Sequence, residues 1–574
     1  MRIHRIAFLV FIMSFHIILI PARGQGRPSP GYPQGYFRNP LDIPMSLSGN
    51  FGELRPNHFH MGLDIKTMAR VNLPVYAAAD GYVARIKIEP FGFGRAIYIN
   101  HPNGFTTLYA HLNDFSPQIE AYLKQQQYQQ ESWKILIDVP PNLLVLKKGD
   151  FIANSGTTGG SQAPHLHFEV RRTADDVNLN PMLFGFPVAD QTKPVILRLA
   201  VYDRKKSTHE QSPKIIAVKN SANGYVTVPT VVPVSSGRIS FAITAYDTHT
   251  GSTNLNGIYH ASIYDNGRLL TSFVMDNISY NETRYINAHI DYKTKATAGP
   301  YLQHLSVLPG YVNSIYSKTG GDGVIDVSDS SIHQIRIIVK DTYNNTSELN
   351  CDVQLAAPSP KASAVTGRMF YPMMIDIMEF EDCEFYMGEK CLYDSVHIRY
   401  GRAVSTNANV LSAIHTIGPT YIPLQDFFVV RIKPIEPLVP GKKERIVMQR
   451  FSGSKQEIQK VQWQDGWASA RFRDFGNFQL VLDEEPPTIT PIGTIDGANL
   501  SKAPAISFLV RDNLQNFKNF RAELNGKWLR FTNDKEWAFT YRFDERCPPG
   551  EHELKIYVED EAGNPATKTF QFTR

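Results

Sequence analysis

Pro164-His165-Leu166-His167-Phe168-Glu169-Val170 sets two histidines two residues apart in a run of β-forming residues. In an extended strand side chains alternate between faces, so His165 and His167 project to one side and can share a site. Far upstream, His60-Met61-Gly62-Leu63-Asp64 offers a second group of metal-ligating side chains. Three protein ligands with a fourth position left to water is the arrangement of a catalytic zinc site, whereas structural zinc sites close with four. Imidazole and carboxylate also suit iron, nickel and copper, and each pair taken alone is weakly specific.

Around these motifs, residues 41–187 show short β-type runs broken by glycine turns, among them Val75-Tyr76-Ala77-Ala78-Ala79-Asp80-Gly81-Tyr82-Val83 and Arg95-Ala96-Ile97-Tyr98-Ile99-Asn100. One stretch breaks the pattern. Ser116-Pro117 reads as a helix start, with Ile119, Tyr122 and Leu123 on one face, which predicts a helical insertion over 114–146. It forms either a wall of a substrate cleft or a surface decoration.

The order of further segments narrows the reading. His60-Met61-Gly62-Leu63-Asp64 is followed by Pro74-Val75-Tyr76-Ala77-Ala78-Ala79-Asp80-Gly81, Thr107-Leu108-Tyr109-Ala110-His111-Leu112, Lys148-Gly149-Asp150, Gly156-Thr157-Thr158-Gly159 and Pro164-His165-Leu166-His167-Phe168-Glu169. In this order they resemble the lysostaphin and LytM-type zinc endopeptidases, over about residues 45–185. The resemblance implies that His60, Asp64 and His167 bind Zn2+ and that His111 and His165 are the catalytic histidines. It also implies a small β-rich fold and hydrolysis of peptide bridges or stems in bacterial peptidoglycan. The insertion after His111 departs from the family's pattern beside the expected cleft. Tyr109 reads as a packed aromatic, and Glu169 as a carboxylate supporting the site.

Composition agrees with a folded multidomain protein, since 42% hydrophobic and 20% charged residues exclude both a disordered chain and a multispanning membrane protein. A net charge of +4 with interspersed signs argues against nucleic-acid binding. Arg2 and Arg5 precede an apolar run from Ile6 to Ile20 and then Ala22-Arg23-Gly24, the layout of a signal peptide over 1–24. Export to the periplasm or cell envelope follows, with no membrane span once the signal is removed. Residues 25–40, rich in Gly, Pro, Arg and Gln, predict a flexible leader.

Beyond residue 195 the chain alternates apolar and polar residues between Asn, Gly and Asp turns, predicting a mainly β protein whose later domains are immunoglobulin-like β-sandwiches. An internal echo divides it. His333 to Asp341 with Asn345 matches His552 to Asp560 with Asn564, and Asp265-Asn266-Gly267 and Leu524-Asn525-Gly526 both read as hairpin turns. Sandwiches over 195–355 and 488–574 thus flank a β-rich region over 362–482. These domains are expected to bind cell wall, a protein partner or the peptidase itself. Of four cysteines, Cys383 and Cys391 bracket an expected hairpin tip that a disulfide would staple, with two buried thiols as the alternative.

Two other functions compete with a peptidase: a non-catalytic relative that regulates wall enzymes, and a wall-binding scaffold. The first commonly lacks some ligands, and all five site residues are present here. Against the second, a chain lacking 190–574 is expected to keep hydrolysing small peptides.

Overall fold

The structure is a computed structural model that describes residues 31–356, 365–435, 438, 441–514, 517–533 and 537–574. The expected signal peptide and the start of the leader lie outside the described residues. The chain is mainly β. In the first domain an antiparallel sheet runs in the order Leu47–Gly49, Leu63–Lys66, His165–Arg172, Phe105–Ala110, Arg95–Asn100, Gly81–Ile88 and Ile135–Asp138. A smaller sheet of Pro74–Tyr76, Phe151–Ser155 and Leu112–Phe115 accompanies it. Alternation sorts the faces of the central strand: Leu166, Phe168 and Val170 are buried in the domain core, leaving His165, His167 and Glu169 for the opposite face.

Two expectations are corrected here. The segment from Tyr32 to Phe37 is no free leader, because Tyr32 stacks on Phe184 at 4.6 Å and Phe37 is buried beside the same ring. Three aromatic side chains over six residues outweigh the Gly and Pro content around them. In the insertion only α1 (Pro117–Gln129) is helical, started by Pro117 behind Ser116 and burying Ile119 and Leu123. The rest returns as Ile135–Asp138 and Val145–Leu146, both paired with Gly81–Ile88.

The next unit curls an eleven-stranded sheet around a core that includes Ile243, Phe273, Ile337 and Val353. Phe51, Phe59 and Met61 of the first domain belong to this same core. The two units also share a sheet, since Asn178–Leu179 pairs both with His165–Arg172 and with Asn277–Ile278. Both Asn-Gly hairpin turns form, with φ of +48° and +80° at Asn266 and Gly267 and +51° and +76° at Asn525 and Gly526. Positive φ at both central residues matches the right-handed twist of the flanking strands.

The middle region packs a six-stranded sheet against a five-stranded one around Phe385, Phe428 and Phe478. All four cysteines are buried free thiols, so the expected Cys383–Cys391 bridge does not form. The reason is topological. Cys383–Met387 pairs with Asp376–Glu379 before it and Phe428–Ile432, while the chain after Cys391 crosses to Val396–Ala403 in the other sheet. The Cys391 thiol instead donates to the Phe427 carbonyl.

The last sandwich, around Phe508, Leu554 and Ile556, folds back onto α1. Lys124 pairs with Asp544 and Glu545, Arg530 donates to Gln127, Arg521 to Glu131, and Tyr128 meets Trp528 edge-on. Among the described residues no helix is long and apolar enough to cross a membrane.

Candidate metal centre

Strand register assembles the centre. His167 lies opposite Asp64 on one side and Ala110 on the other, so Asp64, His167 and the residue after Ala110 come abreast. That residue, His111, has φ +60°, an uncommon backbone state for a histidine, at the kink between Phe105–Ala110 and Leu112–Phe115. His60 sits three residues before its strand, held by Phe59 and Met61 on either side in the next unit's core. Gly62 admits no side chain, because a Cβ there would lie 2.4 Å from the Phe168 carbonyl oxygen.

Three atoms converge: His60 Nε2 to Asp64 Oδ1 is 3.0 Å, His167 Nδ1 to Asp64 Oδ1 3.0 Å, and His60 Nε2 to His167 Nδ1 3.1 Å. The opposite ring nitrogens fix the tautomers. His60 Nδ1 donates to the Asn50 carbonyl at 2.7 Å, and His167 Nε2 donates to Glu169 Oε1 at 2.9 Å. Neutral imidazoles so held turn two lone pairs toward a carboxylate oxygen, with no donor among the three. Bonds of ~2.0 Å to a tetrahedral zinc ion would space such ligands about 3.3 Å apart, so the donor set and its spacing fit the metal.

The surroundings favour positive charge. Burial opposes a charge on His167, but Asp64 and Glu169 outweigh it and push its pKa up to about 9. Burial likewise opposes charge on Asp64 and Glu169, yet the histidines around Asp64 hold it well below the carboxylate range, and Arg171 with His167 brings Glu169 down to about 2. The field that would protonate an empty His167 is the field that stabilises a cation there.

The other two histidines face the same cleft. Ring centroids of His111 and His165 are 4.8 Å apart, and His111 lies 5.8 Å from His167. His111 Nδ1 donates to the Thr158 carbonyl at 2.8 Å and His165 Nδ1 to the Ala163 carbonyl at 2.9 Å, leaving each Nε2 for the cleft. His165 Nε2 is 3.3 Å from Asp64 Oδ1. Burial, helped by His167 and His165, pushes His111 down to about 3, so it is neutral near pH 7. Tyr109 stays out of the cleft, fully buried, with its hydroxyl accepting from Ala78 N and Thr107 Oγ1.

Several supporting residues escape a reading by motif. Arg55 places Nη2 3.2 Å from Asp64 Oδ2 and from Glu53 Oε1. Arg171 and Asn178 both donate to Glu169 Oε2. Arg171 was legible, since residues 165, 167, 169 and 171 share one parity of one strand. Asn50, Phe59 and Met61 carried no such signal.

A β domain with a recessed His-Asp-His triad and two further cleft histidines has the layout of a metallopeptidase domain. Residues 58–128 match the family model of Peptidase family M23, and 370–483 match that of the Zu5-like domain. The N-terminal domain is thus an M23 domain of the lysostaphin and LytM type. The DD-carboxypeptidase/endopeptidase Mpg of Neisseria meningitidis serogroup B is 34% identical over 134 residues, 23% of this chain and 24% of that protein. Peptidoglycan DD-endopeptidase ShyC of Vibrio cholerae is 28% identical over 162 residues, 27% of this chain and 31% of that protein. The catalytic domain of lysostaphin from Staphylococcus simulans aligns at 22% identity and a TM-score of 0.18, covering 24% of this chain and 87% of that one. The chain spans about a quarter of the length of the first of these relatives.

Proposed function

We propose that the protein is an exported zinc metalloendopeptidase that hydrolyses peptide cross-links or stem peptides of bacterial peptidoglycan in the periplasm or cell envelope. His60, Asp64 and His167 hold the metal, and His111 and His165 are the catalytic histidines. The observation that carries this reading is the convergence of His60 Nε2, Asp64 Oδ1 and His167 Nδ1 at 3.0–3.1 Å with both tautomers fixed from behind. The name of ShyC, a peptidoglycan DD-endopeptidase, and that of Mpg, a DD-carboxypeptidase/endopeptidase, support the substrate class.

Bound zinc would supply Lewis acidity, lowering the pKa of a water to about 7 and polarising a scissile carbonyl. The chain's own residues do the rest. Neutral His111, its Nδ1 proton engaged by Thr158, can only accept at Nε2 and therefore orients the attacking water. His165, with Nε2 beside Asp64, moves the proton and stabilises the charge that develops on the carbonyl oxygen. Glu169 keeps the His167 proton on Nε2, and Arg55 engages the second oxygen of Asp64.

Incubating purified sacculi with the mature chain, with and without a chelator, tests the proposal. Mass spectrometry should show chelator-sensitive release of muropeptides cut at a peptide bond. Intact muropeptides from a zinc-loaded, folded sample would refute it.

A further inference from the structure

A second convergence of acidic groups lies at the seam between the first domain and its sandwich. Asp190 belongs to the connection that leads into Val195–Asp203, and Asp247 is the first residue after Arg238–Tyr246. Ligand atoms of Asp190, Asp247 and His249 lie within 4.8 Å of one another, and all three side chains are buried. Asp341, also buried, stands beside them: Asn345 Nδ2 donates to Asp341 Oδ2 at 2.7 Å and to the Asp190 carbonyl at 3.4 Å.

Two oxygens in this cluster are unaccounted for. Asp247, only 2% exposed, leaves Oδ1 without a hydrogen-bond partner, and Asp190 leaves Oδ2 without one. Buried carboxylate oxygens are costly unless paired or bound to metal. The charges acting on Asp247 are those of Asp190 and Asp341, both of the same sign. Backbone N–H groups reach Asp247 from Thr248 and Asp190 Oδ1 from Thr192, but among the described residues no lysine or arginine pairs with either carboxylate.

The last sandwich repeats the layout. Asp483 sits in the connection leading into Thr488–Pro491, Asp512 follows Ala505–Arg511, and Asp560 ends Glu551–Asp560. Asn564 Nδ2 donates to Asp560 Oδ2 at 2.7 Å and to the Asp483 carbonyl at 3.0 Å, as Asn345 does between Asp341 and Asp190. The two sandwiches share the carboxylates but not the imidazole, for Leu514 stands where His249 does. Oxygen ligands of full charge are the choice of a hard cation.

We propose that Asp190 and Asp247, backed by Asp341, bind a divalent cation of the calcium class that ties the connection from the peptidase domain to the first sandwich. The site is separate from the zinc centre and needs none of its residues. It explains why a domain seam accumulates buried acids that, among the described residues, pair with no lysine or arginine. Bound there, the ion fixes the direction in which the sandwich leaves the peptidase domain.

Equilibrium dialysis of the mature chain against Ca2+, with its zinc retained, tests the proposal. The parent is expected to bind one Ca2+ more than Asp247→Asn, and Ca2+ is expected to raise the melting temperature of the parent but not of the variant. In calcium-free buffer Asp247→Asn should melt no lower than the parent, because it removes a buried carboxyl group whose Oδ1 has no partner. Asp190→Asn serves as the second variant should the first fail to fold. His249→Ala should keep the Ca2+. Equal Ca2+ binding by the parent and a folded aspartate variant would overturn the proposal. So would a site that takes Zn2+ or Mn2+ through His249 and no Ca2+.

Discussion

His111 and His165 bring their rings to 4.8 Å from opposite backbone states, one at a left-handed kink and the other in a regular strand. Each anchors Nδ1 on a main-chain carbonyl and turns Nε2 to the cleft. Neither needs the metal to hold its place.

Replacing His60, Asp64 or His167 by Ala should therefore lower zinc content and activity together. His111→Ala and His165→Ala should keep most of the zinc while turnover falls about 100- to 10,000-fold. Zinc analysis, melting temperature and peptidoglycan hydrolysis on the same five variants check this. A fully active His111→Ala would contradict the assigned role.

Glu169→Gln should weaken zinc affinity about 10- to 100-fold, because the partner that fixes His167 loses its charge. The same change leaves Arg171, 3% exposed, without its buried counter-ion, at a cost of about 3–5 kcal/mol. Competition with a metal indicator dye and denaturant unfolding read the two effects separately.

A fragment ending near residue 189 should lose zinc and activity, contrary to what domain boundaries drawn on sequence suggest. Phe51, Phe59 and Met61, 2%, 0% and 3% exposed, are packed into the next unit's core. Uncovering them frees the segment that seats His60. Phe59→Ala in the full chain should cost about 3–5 kcal/mol and reduce zinc occupancy, measurable by thermal unfolding and metal analysis.

Stability should decline as pH falls from about 6.5 toward 4. Burial pushes His289 and His415 down to about 4 in the folded chain, so each is held neutral while the unfolded chain binds a proton near 6.5. Their contribution is complete above 6.5 and is lost on the way down, about 1–3 kcal/mol for each. Melting temperatures between pH 8 and 4 should show the decline, and His415→Gln should flatten part of it.

The β character, the centre and the hairpin turns were legible because they rest on local rules. Parity put His165 and His167 on one face, and an Asn-Gly pair demands its own turn. What was not legible depended on contacts across long separations. Tyr32 and Phe37 look like linker until Phe184 is beside them, and Phe59 and Met61 look like ordinary neighbours of a ligand until another unit's core encloses them. The cysteine pairing failed likewise, since crossing between sheets cannot be read from the spacing of Cys383 and Cys391.

The docking of the last sandwich on α1 carries a consequence for timing. Lys124, Gln127 and Glu131 find partners 421, 403 and 390 residues later, so a chain synthesised from its N-terminus carries the helix bare through most of its production. Glu120 links that helix to Arg95, which donates to the Asn113 carbonyl two residues beyond His111. The surface behind the cleft is thus finished last, and a nascent or clipped chain differs from the whole at the very helix that follows His111.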